Sequence, residues 1–237
     1  MNLEMYREKR KQLEKSDSRQ RLRCTDCFQA PQTCYCHLVH PIELNFKFVI
    51  LIHPIEARKR VATGRMSHLC LKNSILLRGH NYSNHNTLNE ILNDPDLYPV
   101  ILHPGEPSKN MSTMSQAELK EICPKDKTLT IIVIDGTWAT AKKMLKHSQN
   151  LINLPKICFT PDKPSNFRIR KQPHENCYST IEAIHHVIEL IGPSFDFDTS
   201  MRKHDGLLDV FNSMVEMQLD FIKRSDERLG PSRYRRS

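Results

Sequence analysis

The sequence predicts an α/β domain built on a mostly parallel sheet, and three observations support this fold class. Short apolar runs rich in Val and Ile alternate along the chain with helical patterns. Each run is four to eight residues long and mostly apolar, which is typical of strands that are buried on both faces. Polar, turn-forming motifs follow three of these runs directly, as expected where parallel strands end at the ligand-binding edge of a sheet.

The apolar runs place the predicted strands at residues 46–52, 99–102, 129–134 and, from a weaker pattern, 157–159. Helical patterns predict helices at residues 66–77, 115–122, 137–147, 179–191 and 206–223. The helix at 179–191 has the clearest limits. Ser179-Thr180-Ile181-Glu182 has the pattern of a capping box, and Gly192-Pro193 ends the helix.

The length of 237 residues is enough for one catalytic domain with small additions. We expect a charged N-terminal segment at 1–20, a cysteine cluster at 21–40, a catalytic domain at 41–200, and a C-terminal helix with a basic tail at 201–237. The chain has neither a run apolar enough for a membrane helix nor the apolar core of a signal peptide. These features predict a cytoplasmic protein with no membrane partner. They leave its oligomeric state open.

The formal net charge is +8, and the basic residues are unevenly distributed. They gather at residues 19–23, 58–65, 168–171 and 233–236. This pattern favours a polyanionic partner such as a nucleic acid, although a merely basic soluble protein is the alternative. Only seven glycines are present, and no Gly-x-Gly-x-x-Gly or Walker-type loop occurs. Rossmann-type and P-loop nucleotide sites are therefore not expected.

Four cysteines lie close together in the pattern Cys24-x-x-Cys27 followed by Cys34-x-Cys36. Four thiolates can close a tetrahedral zinc site, and a closed site of this kind is structural. The alternatives are an iron–sulfur site or four unligated cysteines. The other four cysteines lack ligand spacing.

Three predicted strands end in polar motifs that we expect to meet at one edge of the sheet. The motifs are His53-Pro54-Ile55-Glu56, His103-Pro104-Gly105-Glu106 and Asp135-Gly136-Thr137-Trp138. Asp135 comes at the end of a buried run and directly before a helical pattern. Its carboxylate therefore has two interpretations, a functional group at the ligand site or an N-cap of the following helix.

Asp135-Gly136-Thr137-Trp138 resembles the Asp-x-Thr-Trp signature of the DTW-domain family, whose members are tRNA-uridine aminocarboxypropyltransferases. Further blocks resemble the family in the same order, at residues 23–36, 53–65, 135–155, 164–171 and 178–183. The resemblance covers residues 21–190. The chain departs from the family pattern at Ala62, where an asparagine is expected, and at His103, where an aromatic or apolar residue is more frequent.

The resemblance implies a fold related to the SPOUT α/β-knot class, with S-adenosylmethionine bound in loops near a C-terminal knot. It also implies transfer of the donor's aminocarboxypropyl group to N3 of a tRNA uridine, with release of methylthioadenosine. Asp135 is then the candidate general base. The candidate donor-binding residues are Gly105, Glu106, Gly136, Thr137, Trp138, Arg170, Thr180 and Glu182. The candidate tRNA-binding residues are Arg58, Arg65, Arg168 and Lys171.

Several of these residues also have a structural interpretation as an alternative to the functional one. Thr137 and Glu182 also suit helix caps, and Trp138 suits core packing. Residues 168–171 also suit a solvated, extended edge segment. Two rival functions remain at this stage: a SPOUT-type RNA methyltransferase with the same donor, and a zinc-containing RNA-binding protein without catalytic activity.

Overall fold

The computed structural model describes residues 23–170 and 177–229. Within these residues the strands are β1 Lys47–Ile52, β2 Ile75–Arg78, β3 Leu97–Leu102, β4 Lys109–Asn110, β5 Thr128–Asp135 and β6 Lys156–Cys158. The α-helices are α1 Thr63–Leu69, α2 Asn86–Asn93, α3 Gln116–Lys120, α4 Trp138–His147, α5 Thr180–Ile191 and α6 Gly206–Leu229. Short 3-10 turns connect several of them.

The six strands form one sheet in the order β2-β1-β5-β3-β6-β4, and every neighbouring pair is parallel. The predicted α/β class with a mostly parallel sheet is confirmed. The register pairs Ile52 with Asp135 and Leu102 with Val133. The carboxyl ends of β1, β5 and β3 therefore lie side by side.

The sheet is buried on both faces, as its apolar strands predict. Along β1, Phe48 and Ile50 belong to a large core that includes α5 and α6. Val49 and Leu51 alternate with them and face a smaller core against α2. Since both faces are covered, the edge of the sheet is where polar groups of the central strands meet a cavity.

The cysteine cluster and the last helix pack on the same large core as the sheet. Cys27, Tyr35, Phe211 and Val215 are at most 1% exposed and belong to one hydrophobic cluster. The division at residues 21–40, 41–200 and 201–237 stays a prediction, as does the implied knot. Residues 1–20 and the basic run 233–236 lie outside the described residues. No described helix is long and apolar enough to cross a membrane.

Two predicted elements are wrong. The helix expected at 66–77 ends at Leu69, and residues 75–78 form β2 instead. Residues 168–170 form a turn rather than an extended segment, with the Arg170 N–H donating to the Phe167 carbonyl over 3.1 Å. The predicted helices at 115–122, 137–147, 179–191 and 206–223 are confirmed, with their limits moved by a few residues.

Candidate active site

A cavity of about 590 Å³ lies at the carboxyl ends of β5, β3 and β6. The start of α5 and the segment 161–170 complete its wall. Its lining includes Leu102, His103, Pro104, Asp135, Gly136, Thr137, Trp138, Phe159, Arg170, Tyr178 and Thr180. The cavity therefore lies at the edge of the sheet where the sequence places the ligand site.

Asp135 is the last residue of β5 and is 4% exposed. Its Oδ1 accepts hydrogen bonds from the Thr63 hydroxyl at 3.3 Å and the Thr180 hydroxyl at 2.5 Å. Its Oδ2 is buried and has no hydrogen-bond partner among the described residues. The carboxylate is thus fixed through one oxygen, and the other keeps its capacity to accept a proton or a hydrogen bond.

Burial raises the pKa of Asp135 above its ordinary value, because the charged form loses its hydration. The Thr180 hydrogen bond and the positive charge of Arg170 oppose this change, whereas the nearby charge of Glu56 adds to it. A carboxylate with a raised pKa is a stronger base, when ionised, than a solvated one. The site therefore has the chemistry of a proton acceptor.

The capping interpretation of Asp135 is wrong, because Thr137 is the N-cap of α4. The Thr137 hydroxyl accepts the Thr140 N–H at 3.1 Å. Gly136 precedes it without room for a side chain, since a Cβ there would lie 2.6 Å from the Thr140 hydroxyl oxygen. Trp138 is 41% exposed and lines the cavity, so it does not pack in the core.

Glu56 and Arg170 form an ion pair beside the cavity. Glu56 is 4% exposed, and its carboxylate accepts hydrogen bonds from Arg170 at 3.2 and 3.4 Å and from Lys59 at 2.8 Å. Arg170 also lines the cavity. The loop after β1 does not line the cavity but orients a guanidinium at its wall. Both terminal nitrogens of Arg170 donate to Glu56, so an anionic ligand group would accept from the remaining N–H groups of the guanidinium.

Three of the predicted donor-binding residues do not line the cavity: Gly105, Glu106 and Glu182. Gly105 and Glu106 are exposed, and their loop contributes His103 and Pro104 instead. Glu182 accepts hydrogen bonds from the Ser179 N–H and hydroxyl, the Ser165 hydroxyl and the Asn166 N–H, all within 2.8 Å. It forms the capping box of α5 and holds the segment around Ser165 against that helix. Donor contact by these three residues stays a prediction.

The cavity also contains residues that were not among the predicted site residues, including Thr63, Phe159 and Tyr178. Phe159 directly follows β6. Residues at the carboxyl ends of parallel strands are expected at the ligand site, and this expectation also applies to the weaker apolar run at 157–159. Thr63 begins α1, and Tyr178 precedes α5. Both lie in blocks that resemble the DTW-domain family, at residues 53–65 and 178–183, but no residue spacing assigns either of them a ligand contact.

The four clustered cysteines have the geometry of a metal site. The sulfur atoms of Cys24 and Cys36 are 3.6 Å apart, those of Cys27 and Cys34 are 3.7 Å apart, and all four lie within 4.8 Å of one another. Zn–S bonds of about 2.3 Å in a tetrahedron place sulfurs about 3.8 Å apart. Backbone N–H groups of Cys27 and Asp26 lower the pKa of Cys24 to about 7. These residues fit a structural zinc ion.

A second cluster of metal-type side chains is explained without a metal. His185, Glu189, His204 and Asp205 lie together away from the cavity. His185 contacts Asp205 at 2.8 Å, and His204 contacts Glu189 at 2.6 Å. Arg202 pairs with both carboxylates. Since a guanidinium already supplies the positive charge, we interpret this cluster as an ion-pair network.

The predicted tRNA-binding residues lie in different settings. Arg58 is exposed, and Arg168 pairs with Glu216. Arg65 donates to the Ala57 carbonyl at 2.9 Å. Lys171 lies outside the described residues.

Comparisons with known proteins identify the family. The DTW domain profile matches residues 21–219. A Drosophila melanogaster protein named tRNA-uridine aminocarboxypropyltransferase 2 is 31% identical over 169 residues, which cover 68% of this chain and 63% of that protein. The Arabidopsis thaliana tRNA-uridine aminocarboxypropyltransferase A is 26% identical over 228 residues, 84% of this chain and 82% of that protein. A Macaca fascicularis tRNA-uridine aminocarboxypropyltransferase 2 is 28% identical, with 70% and 55% covered.

The chain spans less than two thirds of the length of the Drosophila and macaque relatives. No solved structure matches it. The DTW profile, however, covers most of the chain and includes every residue that lines the cavity. The chain belongs to the DTW domain family.

Proposed function

We propose that this protein transfers the 3-amino-3-carboxypropyl group of S-adenosylmethionine to N3 of a uridine in tRNA and releases methylthioadenosine. Family membership and the names of the relatives support this activity. One observation in the structure carries the proposal: Asp135, with one unpartnered carboxylate oxygen, lies on the wall of a ligand-sized cavity.

The cavity suits the donor in size and chemistry. Its volume of about 590 Å³ is within the range of small-molecule sites. Leu102, Trp138 and Phe159 offer apolar contacts for the adenosine. Arg170 binds the α-carboxylate of the donor through parallel hydrogen bonds, a geometry that guanidinium groups favour. Gly136, Thr137 and Thr180 also line the cavity and are further donor contacts in this proposal.

The donor supplies an alkyl carbon activated by an adjacent sulfonium. A bond forms between uridine N3 and Cγ as the bond from Cγ to sulfur breaks, and its electron pair stays on sulfur. The Asp135 carboxylate accepts the N3 proton. Base catalysis of this kind contributes roughly 10²- to 10⁴-fold to a rate. The remaining task of the cavity residues is to hold Cγ, rather than the methyl group, in line with N3.

The cysteines Cys24, Cys27, Cys34 and Cys36 hold a zinc ion in this proposal. Its contribution is to fold a segment that has few apolar residues of its own. None of the four cysteines lines the cavity, so the role proposed for the metal is structural.

The tRNA binds along the basic residues near the cavity, including Arg58, Arg65 and Arg168. The net charge of +8 supports a polyanionic partner. A cytoplasmic location is consistent with this substrate and stays part of the proposal.

An isotope experiment separates this activity from its two rivals. Purified protein is incubated with tRNA and S-adenosylmethionine, labelled either in the aminocarboxypropyl chain or in the methyl group. We expect only the chain label to enter tRNA. Transfer of the methyl label alone would identify a methyltransferase. Absence of both labels together with absence of donor binding would identify a non-catalytic RNA-binding protein.

A further inference from the structure

The cysteine cluster presents an exposed aromatic ring next to the candidate active site. Phe28 follows Cys27 directly and is 50% exposed. Its backbone φ is +56°, in the left-handed region that side chains with a Cβ disfavour. Glycine would suit this backbone better. Neither burial nor backbone preference explains a phenylalanine at this position.

Arg65 covers one side of the Phe28 ring. The guanidinium carbon lies 4.4 Å from the ring centroid. The same guanidinium donates to the Ala57 carbonyl at 2.9 Å, which fixes its position. The ring and the cation therefore form a preorganised pair. Half of the phenylalanine surface remains exposed beside a fixed positive charge.

The Phe28–Arg65 pair is continuous with a basic loop. Arg58, Lys59 and Arg60 are exposed, consecutive residues. The Gln29 side chain, next to Phe28, donates to the Arg60 carbonyl at 2.7 Å. The cysteine cluster thus holds the loop in place.

The basic loop is also continuous with the candidate active site. Lys59 and Arg60 line an open groove of about 360 Å³, together with Phe167 and Arg170. Phe167 and Arg170 line the donor cavity as well. The groove and the donor cavity thus share two wall residues, and the groove begins at the loop that the cysteine cluster contacts.

The chemistry of the proposed acceptor explains such a surface. Uridine N3 is the atom that donates the hydrogen bond in a base pair, so an attacked uridine must be unpaired. Its neighbours in the strand are then accessible to protein. Proteins bind unpaired strands by combining a basic groove along the phosphates with aromatic rings that stack on bases.

We propose that Phe28, backed by Arg65, stacks on an unpaired base near the target uridine of tRNA, while Arg58, Lys59 and Arg60 bind the adjoining phosphates. This inference rests on the proposed function, because it takes its ligand from that reaction. It assigns Phe28 as a substrate-binding residue within the cysteine cluster.

The first test measures binding of fluorescently labelled, unfractionated tRNA to the zinc-loaded protein by anisotropy at several salt concentrations. Phe28→Ala is expected to raise Kd about fivefold or more, the effect of losing one stacked base. It leaves the slope of log K against log salt unchanged, because no phosphate contact is lost. Arg60→Ala is expected to reduce that slope by about 0.7. Phe28→Trp retains binding, and Met201→Ala, which alters an exposed residue elsewhere, is the control.

The second test separates recognition from folding. Glycine adopts a φ of +56° without the steric strain that a Cβ causes. Phe28→Gly is therefore expected to raise Tm while it weakens tRNA binding. If Phe28 had only a structural role, Phe28→Gly would lower Tm, and the folded variant would bind tRNA as tightly as the wild-type protein. Zinc content and S-adenosylmethionine binding are expected to stay at wild-type values in all five variants.

An unchanged Kd for Phe28→Ala would overturn the inference. So would a Phe28→Ala variant that binds tRNA normally but loses self-association, since the ring would then be a protein interface. Failure of the proposed function is distinct, because in that case the wild-type protein transfers no label to tRNA.

Discussion

The backbone of Gly64 lies directly against the carboxylate of Asp135. A Cβ on Gly64 would lie 2.6 Å from the buried Oδ2 and 2.9 Å from the carboxyl carbon. Gly64 is in the first turn of α1, next to Thr63, which donates a hydrogen bond to the other oxygen. The start of α1 therefore fixes where the proposed base points.

The variant Gly64→Ala tests this contact. Alanine normally stabilises a helix by about 1 kcal/mol relative to glycine. Here the added methyl group displaces the carboxylate, and we expect a loss of about 1–3 kcal/mol in unfolding free energy and at least a tenfold lower kcat. Gly206→Ala is the matched control, since no atom lies within 4 Å of its added Cβ. Unchanged kcat in Gly64→Ala would show that this packing does not position Asp135.

Asp135→Asn is expected to reduce transfer by roughly 10²- to 10⁴-fold, because the amide cannot accept the N3 proton. Donor binding should persist. The pH dependence of the wild-type rate should show a limb that rises with pH above the ordinary pKa of Asp, since only the ionised carboxylate is a base. Transfer at the wild-type rate would show that Asp135 is not the base.

The same variant has a predicted effect on stability. Burial raises the pKa of Asp135, so the folded protein binds a proton more tightly than the unfolded chain. Stability contributed by this group is therefore present below the unfolded pKa, about 4, and is lost as pH rises through the folded pKa. Asp135→Asn should raise Tm at neutral pH, and the difference should shrink in acid. A lower Tm at neutral pH would contradict the burial argument.

Arg170→Lys tests the proposed contact with the donor carboxylate. Lysine keeps the charge that balances Glu56 but cannot form two parallel hydrogen bonds. Loss of a charged hydrogen bond corresponds to about 1.5–3 kcal/mol, and we expect KM for the donor to rise about 10- to 100-fold with a smaller change in kcat. Arg168→Lys, at an exposed position two residues away, should leave KM for the donor unchanged. Equal effects of both substitutions would contradict the assignment.

Zinc removal is expected to destabilise the protein without acting on the chemistry. The wild-type protein should contain one zinc, and Cys36→Ser should lose it. A loss of about 3 kcal/mol, part of the ~10 kcal/mol that such sites supply, corresponds to a Tm lower by about 6–12 °C. Cys123→Ser, a buried cysteine outside the cluster, should retain zinc. If the wild-type protein is purified without zinc and added zinc leaves its Tm unchanged, the four cysteines are unligated.

The central strands could be predicted because their signal is local. β1 and β5 are mostly apolar runs, as expected of strands buried on both faces. The prediction failed at β2, where Ile75 to Leu77 continue the helical spacing of α1. Their strand conformation depends on pairing with β1, a contact that residue spacing alone does not encode.

Site residues that directly follow a predicted strand could be predicted from the sequence. Site residues on distant helices and loops could not. Asp135 was found because it ends a buried run. Thr63 and Thr180, which donate to its Oδ1, come from helices 72 and 45 positions away in the chain. The pairing of Glu56 with Arg170, 114 positions apart, depends likewise on the fold.

The central claim is that this cavity presents the aminocarboxypropyl carbon of the donor to uridine N3. The most direct test is the mass of the nucleosides from tRNA incubated with S-adenosylmethionine and either the wild-type protein or Asp135→Asn. We predict a uridine heavier by one aminocarboxypropyl group, carried on N3, with the wild-type protein and almost none with the variant. A uridine heavier by one methyl group, or an equal yield from both proteins, would contradict it.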